Sequence, residues 1–174
     1  IGLRGDLHRF NAYKNQAFER GNTVISYMRT IEQANGREFE AARTQILLGN
    51  WQLLHGKRAA AWEAYGQAET ELTPELIAQR KVESPLLAPV ALPESPQLRS
   101  LPPVVPRDEG DILLEVAVTA NGKVVDLERL DDNEELDGKA NRLMRQLRRT
   151  RFRPRFEAGE PVATQSIIRA YDIQ

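Results

Sequence analysis

The chain has 174 residues, of which 41% are hydrophobic and 28% are charged, and its formal net charge is -1. This composition is typical of a folded globular protein of one or two domains and argues against wholesale disorder. The near-zero charge gives no general attraction to nucleic acid or anionic lipid, and the lack of cysteine excludes disulfides, thiol nucleophiles and thiolate metal sites.

The sequence has no apolar run that approaches the ~20 residues needed to span a bilayer. It opens Ile1-Gly2-Leu3, without an initiator methionine or a basic-then-apolar leader, which indicates an excised fragment or a mature form. We therefore expect any membrane anchor or export signal to lie outside these residues.

Residues 1–83 are predicted to form a helical module, because apolar side chains recur at helical spacing between turn residues. A break is expected at Gly21-Asn22, and a helix end at Asn35-Gly36, since asparagine and glycine tolerate the left-handed conformation that ends helices. Thr73-Pro74 has the pattern of an N-cap followed by proline at the first helical position. The predicted helical stretches cover residues 3–35, 38–54, 57–72 and 74–82.

Small and bulky residues at characteristic spacings would let the helices of residues 38–72 pack closely. These residues are Leu48, Gly49, Gly56, Ala61, Tyr65 and Ala68. In this pattern the pair of helices resembles a tetratricopeptide repeat, which implies a helical hairpin whose neighbours complete its core. A generic helical bundle is the alternative interpretation.

Residues 84–107 are predicted to be a linker, because they hold seven of the ten prolines, and proline interrupts both helices and central strands. We expect a semi-extended tether between the helical module and a domain at residues 108–174. The apolar side chains of the segment exceed what a free linker needs and are expected to pack along the helical module. They are Leu86, Leu87, Val90, Leu92 and Leu98.

Residues 108–174 are predicted to form a small domain with the order β-β-α-β. Apolar and polar side chains alternate over residues 112–119, and residues 124–130 are expected to return as the partner strand. Asn121-Gly122 between them is a strong hairpin signal, because both central positions of that turn favour positive φ.

The remainder of this domain is predicted to be a helix followed by a last strand. Val125 and Leu127 are expected on the core side of the second strand, and Asp131-Asp132-Asn133 are expected to cap the helix. Pro154 stops any continuation of the helix, and the last strand is predicted over residues 162–173. The apolar face of the helix consists of Leu136, Ala140, Leu143, Met144 and Leu147.

This order predicts a two-layer domain, in which a three-stranded antiparallel-type sheet carries one helix on one face. The last strand is expected beside the first, after a crossover through the helix. The whole chain is thus predicted to be an α+β protein, with a helical module, a proline-rich linker and a C-terminal β-β-α-β domain.

The C-terminal domain resembles that of TonB-type energy transducers over about residues 111–173. The resemblance is carried by Leu114 to Thr119, Asn121-Gly122-Lys123-Val124, Ala140, Leu147-Arg148-Arg149, Arg151-Phe152-Arg153-Pro154, Gly159-Glu160-Pro161-Val162 and Tyr171. It implies a periplasmic domain that pairs the edge of its last strand with an extended peptide of an outer-membrane transporter. An edge strand can do this because its peptide groups are unpaired.

The resemblance and the strand pattern together assign partner binding to the last strand. The alternative is an edge already covered by the linker or by a second copy of the chain. The assigned residues are Val162, Thr164, Gln165, Ser166, Ile168, Arg169 and Tyr171.

Seven arginines follow one another through the predicted helix and the segment after it. A solvated, partly ion-paired helix face is the simplest interpretation, because acidic residues of the same domain are numerous enough to neutralise them. A partner-docking surface that includes Arg145 and Arg149 is the second interpretation, and nucleic-acid binding is a distant third. The arginines are Arg142, Arg145, Arg148, Arg149, Arg151, Arg153 and Arg155.

No set of residues predicts catalysis, a cofactor or a metal site. His8 and His55 are isolated from any nucleophile or triad pattern, and two histidines alone do not make an ordinary zinc site. Asp131-Asp132 and Glu134-Glu135 fit helix capping better than acid–base chemistry or a calcium loop. An enzyme is therefore disfavoured.

We expect a non-catalytic periplasmic protein that binds other proteins in the manner of TonB-type transducers. Its partner would be an outer-membrane receptor or an inner-membrane complex, and an anchor in the inner membrane would lie outside this sequence. The alternative is a structural assembly protein of the envelope, which uses the same surfaces for homodimer or scaffold contacts. Neither nucleic-acid binding nor direct membrane insertion by these residues is expected.

Overall fold

The structure, a computed structural model, describes residues 2–94 and 101–173, with side chains from residue 11 onward. The chain divides into two compact units, residues 1–84 and 85–174. N-terminal helices are followed by C-terminal strands, which agrees with the expected α+β class. We call the two parts the helical unit and the sheet unit.

The helical unit contains four helices. Two left-handed glycines end the first two helices, Gly36 with φ 66° and Gly56 with φ 76°. The Thr73 hydroxyl accepts a hydrogen bond from the Leu76 amide at 3.3 Å, which is the predicted N-cap of the fourth helix. The helices are α1 Gly2–Ala34, α2 Glu38–Leu54, α3 Arg58–Glu71 and α4 Pro74–Arg80.

The expected break at Gly21-Asn22 is wrong, because α1 continues through both residues. A Cβ at Gly21 would overlap the Trp51 indole ring. The Trp51 Nε1 also donates a hydrogen bond to the Phe18 carbonyl at 3.0 Å. This glycine thus allows close approach of α2, which offsets the cost of about 1 kcal/mol that glycine carries inside a helix.

The packing of α2 on α3 depends on the small and bulky residues that the sequence singled out. Tyr65 and Ala61 are fully buried, and a Cβ at Gly49 would overlap the Tyr65 ring. The Tyr65 hydroxyl donates a hydrogen bond to Asn50 Oδ1 at 2.9 Å. A small residue facing a tyrosine therefore sets the separation of the two helices.

The turn between α2 and α3 holds His55 among aromatic rings. Its ring centroid lies 4.4 Å from that of Trp51 and 5.2 Å from that of Phe18. Burial lowers the pKa of His55, and the positive charges of Lys14 and Lys57 lower it further. The neutral imidazole is therefore the form that the folded unit favours.

The described residues of the sheet unit form eight short strands, a short 3-10 helix at Glu134–Leu136 and one α-helix. Its main sheet has four strands in the order β2-β8-β3-β4, so the predicted three-stranded sheet gains a strand from the proline-rich segment. β8 lies beside β3, as the crossover predicted, and all described pairs are antiparallel. The elements are β1 Val90–Ala91, β2 Val104–Val105, β3 Ile112–Val118, β4 Val124–Arg129, α5 Asp137–Arg149, β5 Phe152–Arg153, β6 Arg155–Glu157, β7 Glu160–Val162 and β8 Thr164–Tyr171.

The proline-rich segment packs within the sheet unit instead of forming a tether. β1 pairs with β5, and β2 pairs with the end of β8. Leu86 and Leu92 are buried in this unit, whereas the sequence predicted that they pack along the helical module. Leu98 lies outside the described residues. Extended proline-rich backbone can join a sheet at its edges, where a missing amide costs little.

The last strand is shorter than predicted, because Val162 belongs to a separate hairpin. Val162 pairs with Arg155, and β6 and β7 are joined by a turn at Ala158-Gly159 with φ values of 53° and 81°. Two left-handed residues are the pattern that we expected instead at Asn121-Gly122. The strand that follows therefore begins only at Thr164.

The turn at Asn121-Gly122 has a different geometry from the one expected. Of its two residues only Gly122 has a positive φ, 74°, and the Gly122 amide donates to the Thr119 carbonyl at 2.9 Å. This pattern fits a type I turn followed by a glycine bulge. A Cβ at Gly122 would overlap the Phe152 carbonyl oxygen, so glycine is also needed for close packing on β5.

The core of the sheet unit lies between α5 and one face of the main sheet. The predicted apolar face of α5 forms it, with Leu143 and Leu147 fully buried against β3. Val125 is 41% exposed, which corrects its expected place on the core side. Leu127 packs against the core as expected, but a bulge with Asp126 at φ 46° inserts one residue, so that Val124 faces the core in place of Val125.

We predict that Gly49→Ala destabilises the helical unit by about 1–3 kcal/mol, because the new methyl group must displace the Tyr65 ring. Urea unfolding followed by tryptophan fluorescence measures the change, since Trp51 and Trp62 both lie in this unit. The control is Arg43→Ala on the exposed side of the same helix, which should change the free energy of unfolding by less than about 0.5 kcal/mol. Unchanged stability of Gly49→Ala would contradict the close contact.

We predict that the helical unit loses stability as the pH falls through 6.5, the ordinary pKa of histidine. The unfolded chain binds the proton there, whereas folded His55 binds it only at lower pH, so the loss ends below the folded pKa. Urea midpoints between neutral and mildly acidic pH measure the loss, and His55→Phe should reduce it. An NMR titration that gives His55 a pKa at or above 6.5 would contradict the prediction.

Candidate protein-binding surface

One edge of β8 is only partly covered. β2 pairs with Ala170 and Tyr171 alone, and the chain turns away after Val105, where the Glu109 amide donates to the Pro106 carbonyl at 3.0 Å. No strand pairs with Thr164 to Arg169 on this side, among residues 2–94 and 101–173. We call this stretch the open edge.

The peptide groups of alternate β8 residues point toward the open edge. The Asp172 amide donates to the Pro103 carbonyl at 3.1 Å on the β2 side, whereas the Tyr171 carbonyl accepts from Asp111 at 2.9 Å on the β3 side. Since peptide groups alternate between the two sides of an antiparallel strand, those of Ala170 and Ile168 face the β2 side. Beyond the end of β2, Ile168 thus presents a donor and an acceptor at the open edge.

The side chains of the open edge divide between the two faces of the sheet. Ile168 is 46% exposed and pairs with Glu115, on the face away from α5. Ser166 is exposed and its hydroxyl bonds to the Glu115 carboxylate. Gln165 is exposed and Thr164 is half-buried. These four residues are where the sequence analysis expected partner contacts.

Two residues of the predicted binding set are committed to the sheet unit itself. Tyr171 is 1% exposed and packs in the core, because its partner Ile112 lies on the face that α5 covers. Arg169 lies on that same face, where its Nη2 donates to the Pro89 carbonyl at 2.6 Å. Its guanidinium also stands 5.9 Å from the Phe152 ring centroid. The side chain of Tyr171 is therefore not accessible to a partner, which corrects its predicted role, and Val162 lies outside β8.

Arg153 is a structural residue that the sequence analysis placed in an exposed arginine run. It is 1% exposed, its Nη2 donates to the Pro85 carbonyl at 2.7 Å, and its Nη1 lies 3.6 Å from the Glu94 carboxylate. Arg153 thus attaches both ends of the segment Pro85–Glu94 to strand β5, in which it lies. The alternation of Phe152, Arg153 and Pro154 gives no local signal for this role.

The arginines of α5 form a basic surface without matching acids. Each is exposed, and none forms an ion pair within the part of the chain that the structure describes. The ion pairs of the arginine run lie at Arg153 and Arg155, whereas the expected solvated face is confirmed for these four residues. They are Arg142, Arg145, Arg148 and Arg149.

Two acids near the start of α5, Asp131 and Asp137, bind Arg129 and not the arginines of the helix. The Arg129 Nε donates to Asp131 at 2.8 Å and its Nη1 to Asp137 at 2.6 Å. Burial alone would raise the pKa of Asp131, but hydrogen bonds from Arg129 and the amides of Leu113 and Asn133 outweigh burial and lower it. Asp131 therefore ties β3 to the loop before α5, while Asn133 caps the turn that follows.

No protein-family model, curated protein or solved structure matches this chain. Among the described helices, none combines the length and apolar character required to cross a membrane. Within the same residues no three His, Cys, Asp or Glu side chains are grouped so that they could hold a metal ion.

We predict that Arg153→Met destabilises the sheet unit by about 2–4 kcal/mol, because it leaves the carbonyl of half-buried Pro85 without its charged donor. Hydrogen exchange of the Leu92 amide, which donates to the Arg151 carbonyl at 2.8 Å, should become faster. The control Arg148→Met, on the exposed side of α5, should leave this exchange unchanged. Equal protection of Leu92 in both variants would show that Arg153 does not hold the segment.

Proposed function

We propose that this is a non-catalytic, periplasmic protein–protein interaction protein of the TonB energy-transducer type. Its sheet unit binds an extended segment of an envelope partner, which pairs antiparallel with β8 along the open edge. The observation that carries the proposal is the open edge from Thr164 to Arg169, bordered by the short strand β2.

The pairing of β2 with β8 supports the proposal, because it shows strand addition at this edge within the chain itself. Val104 and Val105 already lie antiparallel against the end of β8, so this edge accepts an added strand in the required direction. A partner strand in line with β2 would bond to the peptide group of Ile168, beyond Pro106. Backbone hydrogen bonds would supply affinity, and exposed side chains of β8 would supply selection.

The resemblance to TonB-type transducers supports the location and the partner. In that family the partner is an outer-membrane transporter, and transmission of force needs an anchor in the inner membrane. The helical unit, with its tetratricopeptide-like packing of α2 and α3, would provide a second protein-binding surface. Partner binding at β8 does not depend on energy coupling and stands as the narrower proposal.

A structural assembly protein is the second candidate function. It is favoured by the apolar residues that α1 exposes to solvent, which a second copy could cover. Under this candidate, two copies would pair their open edges or the exposed faces of α1. The exposed residues are Tyr13, Val24, Tyr27, Met28 and Ile31.

The test is an NMR titration of the isotope-labelled full chain with peptides from the periplasmic segments of outer-membrane receptors. We expect amide shifts concentrated in Thr164 to Arg169. Ile168→Pro should weaken binding at least about tenfold, because it removes the outward-facing amide nearest to the end of β2. The control Ile168→Thr keeps that amide and should bind within about threefold of the parent chain.

Two results would count against the proposal. One is a tight dimer in solution whose β8 amides are already protected and do not respond to peptide, which favours the assembly protein. The other is equal binding by Ile168→Pro and Ile168→Thr, which would show that the open edge does not provide the contact. Hydrogen exchange of β3 amides verifies that the proline variant keeps its sheet.

A further inference from the structure

A cleft of about 250 Å³ lies beside α5 in the sheet unit. One wall is the exposed side of the helix, and the other is formed by the residues next to β2 and β8. The lining residues are Pro102, Lys139, Arg142, Leu143, Gln146 and Ile173. The cleft is distinct from the open edge, because it shares no residue with Thr164 to Arg169.

The cleft combines an apolar floor with a basic rim. Leu143 is buried, and Pro102 and Ile173 are half-buried, so their hydrocarbon surfaces are held in place by the core. Lys139 and Arg142 are exposed, and the Lys139 ammonium donates to the Ile173 carbonyl at 3.3 Å. That bond fixes one positive charge at the mouth of the cleft.

The basic rim extends along one side of α5. Lys139, Arg142, Gln146 and Arg149 follow one another at steps of three, four and three residues, which places them on one side of a helix. Among the described residues no acid lines the cleft, and the nearest acid on the helix, Asp137, is bound to Arg129. The positive charge of this side is thus available for an external anion.

We propose that this cleft binds an acidic segment of a partner protein, with an apolar side chain of that segment on the floor. Arg142 is suited to hold a carboxylate through two parallel hydrogen bonds, and Lys139 would add a second positive charge. Gln146 offers an amide to the backbone of the segment. The inference rests on the proposed protein-binding function, but it concerns a separate surface.

A protein segment fits this cleft better than nucleic acid or lipid does. The floor of Leu143, Pro102 and Ile173 matches an alkyl side chain, whereas a sugar–phosphate backbone would leave it unused. The whole chain has a net charge of -1, so it offers a polyanion no general attraction. Charge complementarity therefore favours an acidic segment that also carries apolar residues.

The test is calorimetric and NMR titration of the full chain with a short capped peptide in which glutamate and leucine alternate. The parallel probes are the same peptide with glutamine for glutamate, poly-uridine RNA, and vesicles that contain phosphatidylglycerol. Arg142→Glu, at the cleft, is compared with Arg148→Glu, which makes the same change of charge on the opposite side of α5. Ile168→Pro is included to separate this cleft from the open edge.

We expect the glutamate peptide to shift the amide NMR signals of residues Lys139 to Arg149. Its affinity should decrease when the salt concentration is raised from about 0.05 M to about 0.3 M. Arg142→Glu should weaken binding about tenfold, and Arg148→Glu less than about threefold. Binding that survives Ile168→Pro would establish the cleft as a site in its own right, whether or not β8 binds a strand.

Several results would overturn the inference. Equal losses in Arg142→Glu and Arg148→Glu would show a diffuse electrostatic effect without a site. No binding of the peptide at about 1 mM would exclude useful affinity for acidic segments. If RNA or vesicles bound more tightly than the peptide, the ligand of the cleft would be nucleic acid or lipid and not a protein segment. Shifts confined to Thr164 to Arg169 would support the open edge and reject the cleft.

Discussion

The proline-rich segment must obtain hydrogen-bond donors from outside itself, and this requirement shapes the sheet unit. Proline offers a carbonyl acceptor but no amide, so the chain before β3 has more acceptors than donors. Arg153 donates a hydrogen bond to the Pro85 carbonyl, and Arg169 donates one to the Pro89 carbonyl. These two arginines, one in β5 and one in β8, hold the proline-rich segment against the sheet unit. Leu92 is buried in the same segment.

The open edge exists because the same segment covers only the end of β8. β2 lies antiparallel to β8 for two residue pairs only, Val104 with Tyr171 and Val105 with Ala170. An unpaired edge invites association, and proteins commonly protect such edges with proline, charge or short strands. Here the protection covers the end near Tyr171 and leaves the peptide group of Ile168 accessible. Partial protection of this kind suits a surface that binds one strand under control better than a surface that aggregates freely.

Local sequence signals predicted the elements, and the errors occur where contacts between distant residues decide the structure. The helix Glu38–Leu54 and the apolar face of α5 follow from periodicity alone, because spacing within one helix is a short-range property. Gly21 was misassigned as a break because its role depends on Trp51, thirty residues later in the chain. The bulge at Asp126 likewise changed which valine of β4 faces the core, and nothing in the alternation indicates it. Packing overrides local preference at these positions.

The candidate site shows the same limit at the level of single side chains. Exposure of Ser166 and Ile168 follows from their place on an edge strand, but the alternation that buries Tyr171 is hidden by Arg169, a charged residue on the core face. Arg169 can lie there because its guanidinium donates a hydrogen bond to the Pro89 carbonyl and lies over the Phe152 ring. Under strand addition, a guest would therefore be selected mainly on the face away from α5, by Ile168 and by the Ser166–Glu115 pair. A hydrophobic residue next to a polar one in the guest strand is the pattern that this face would favour, since the exposed alkyl group and the bonded carboxylate lie side by side.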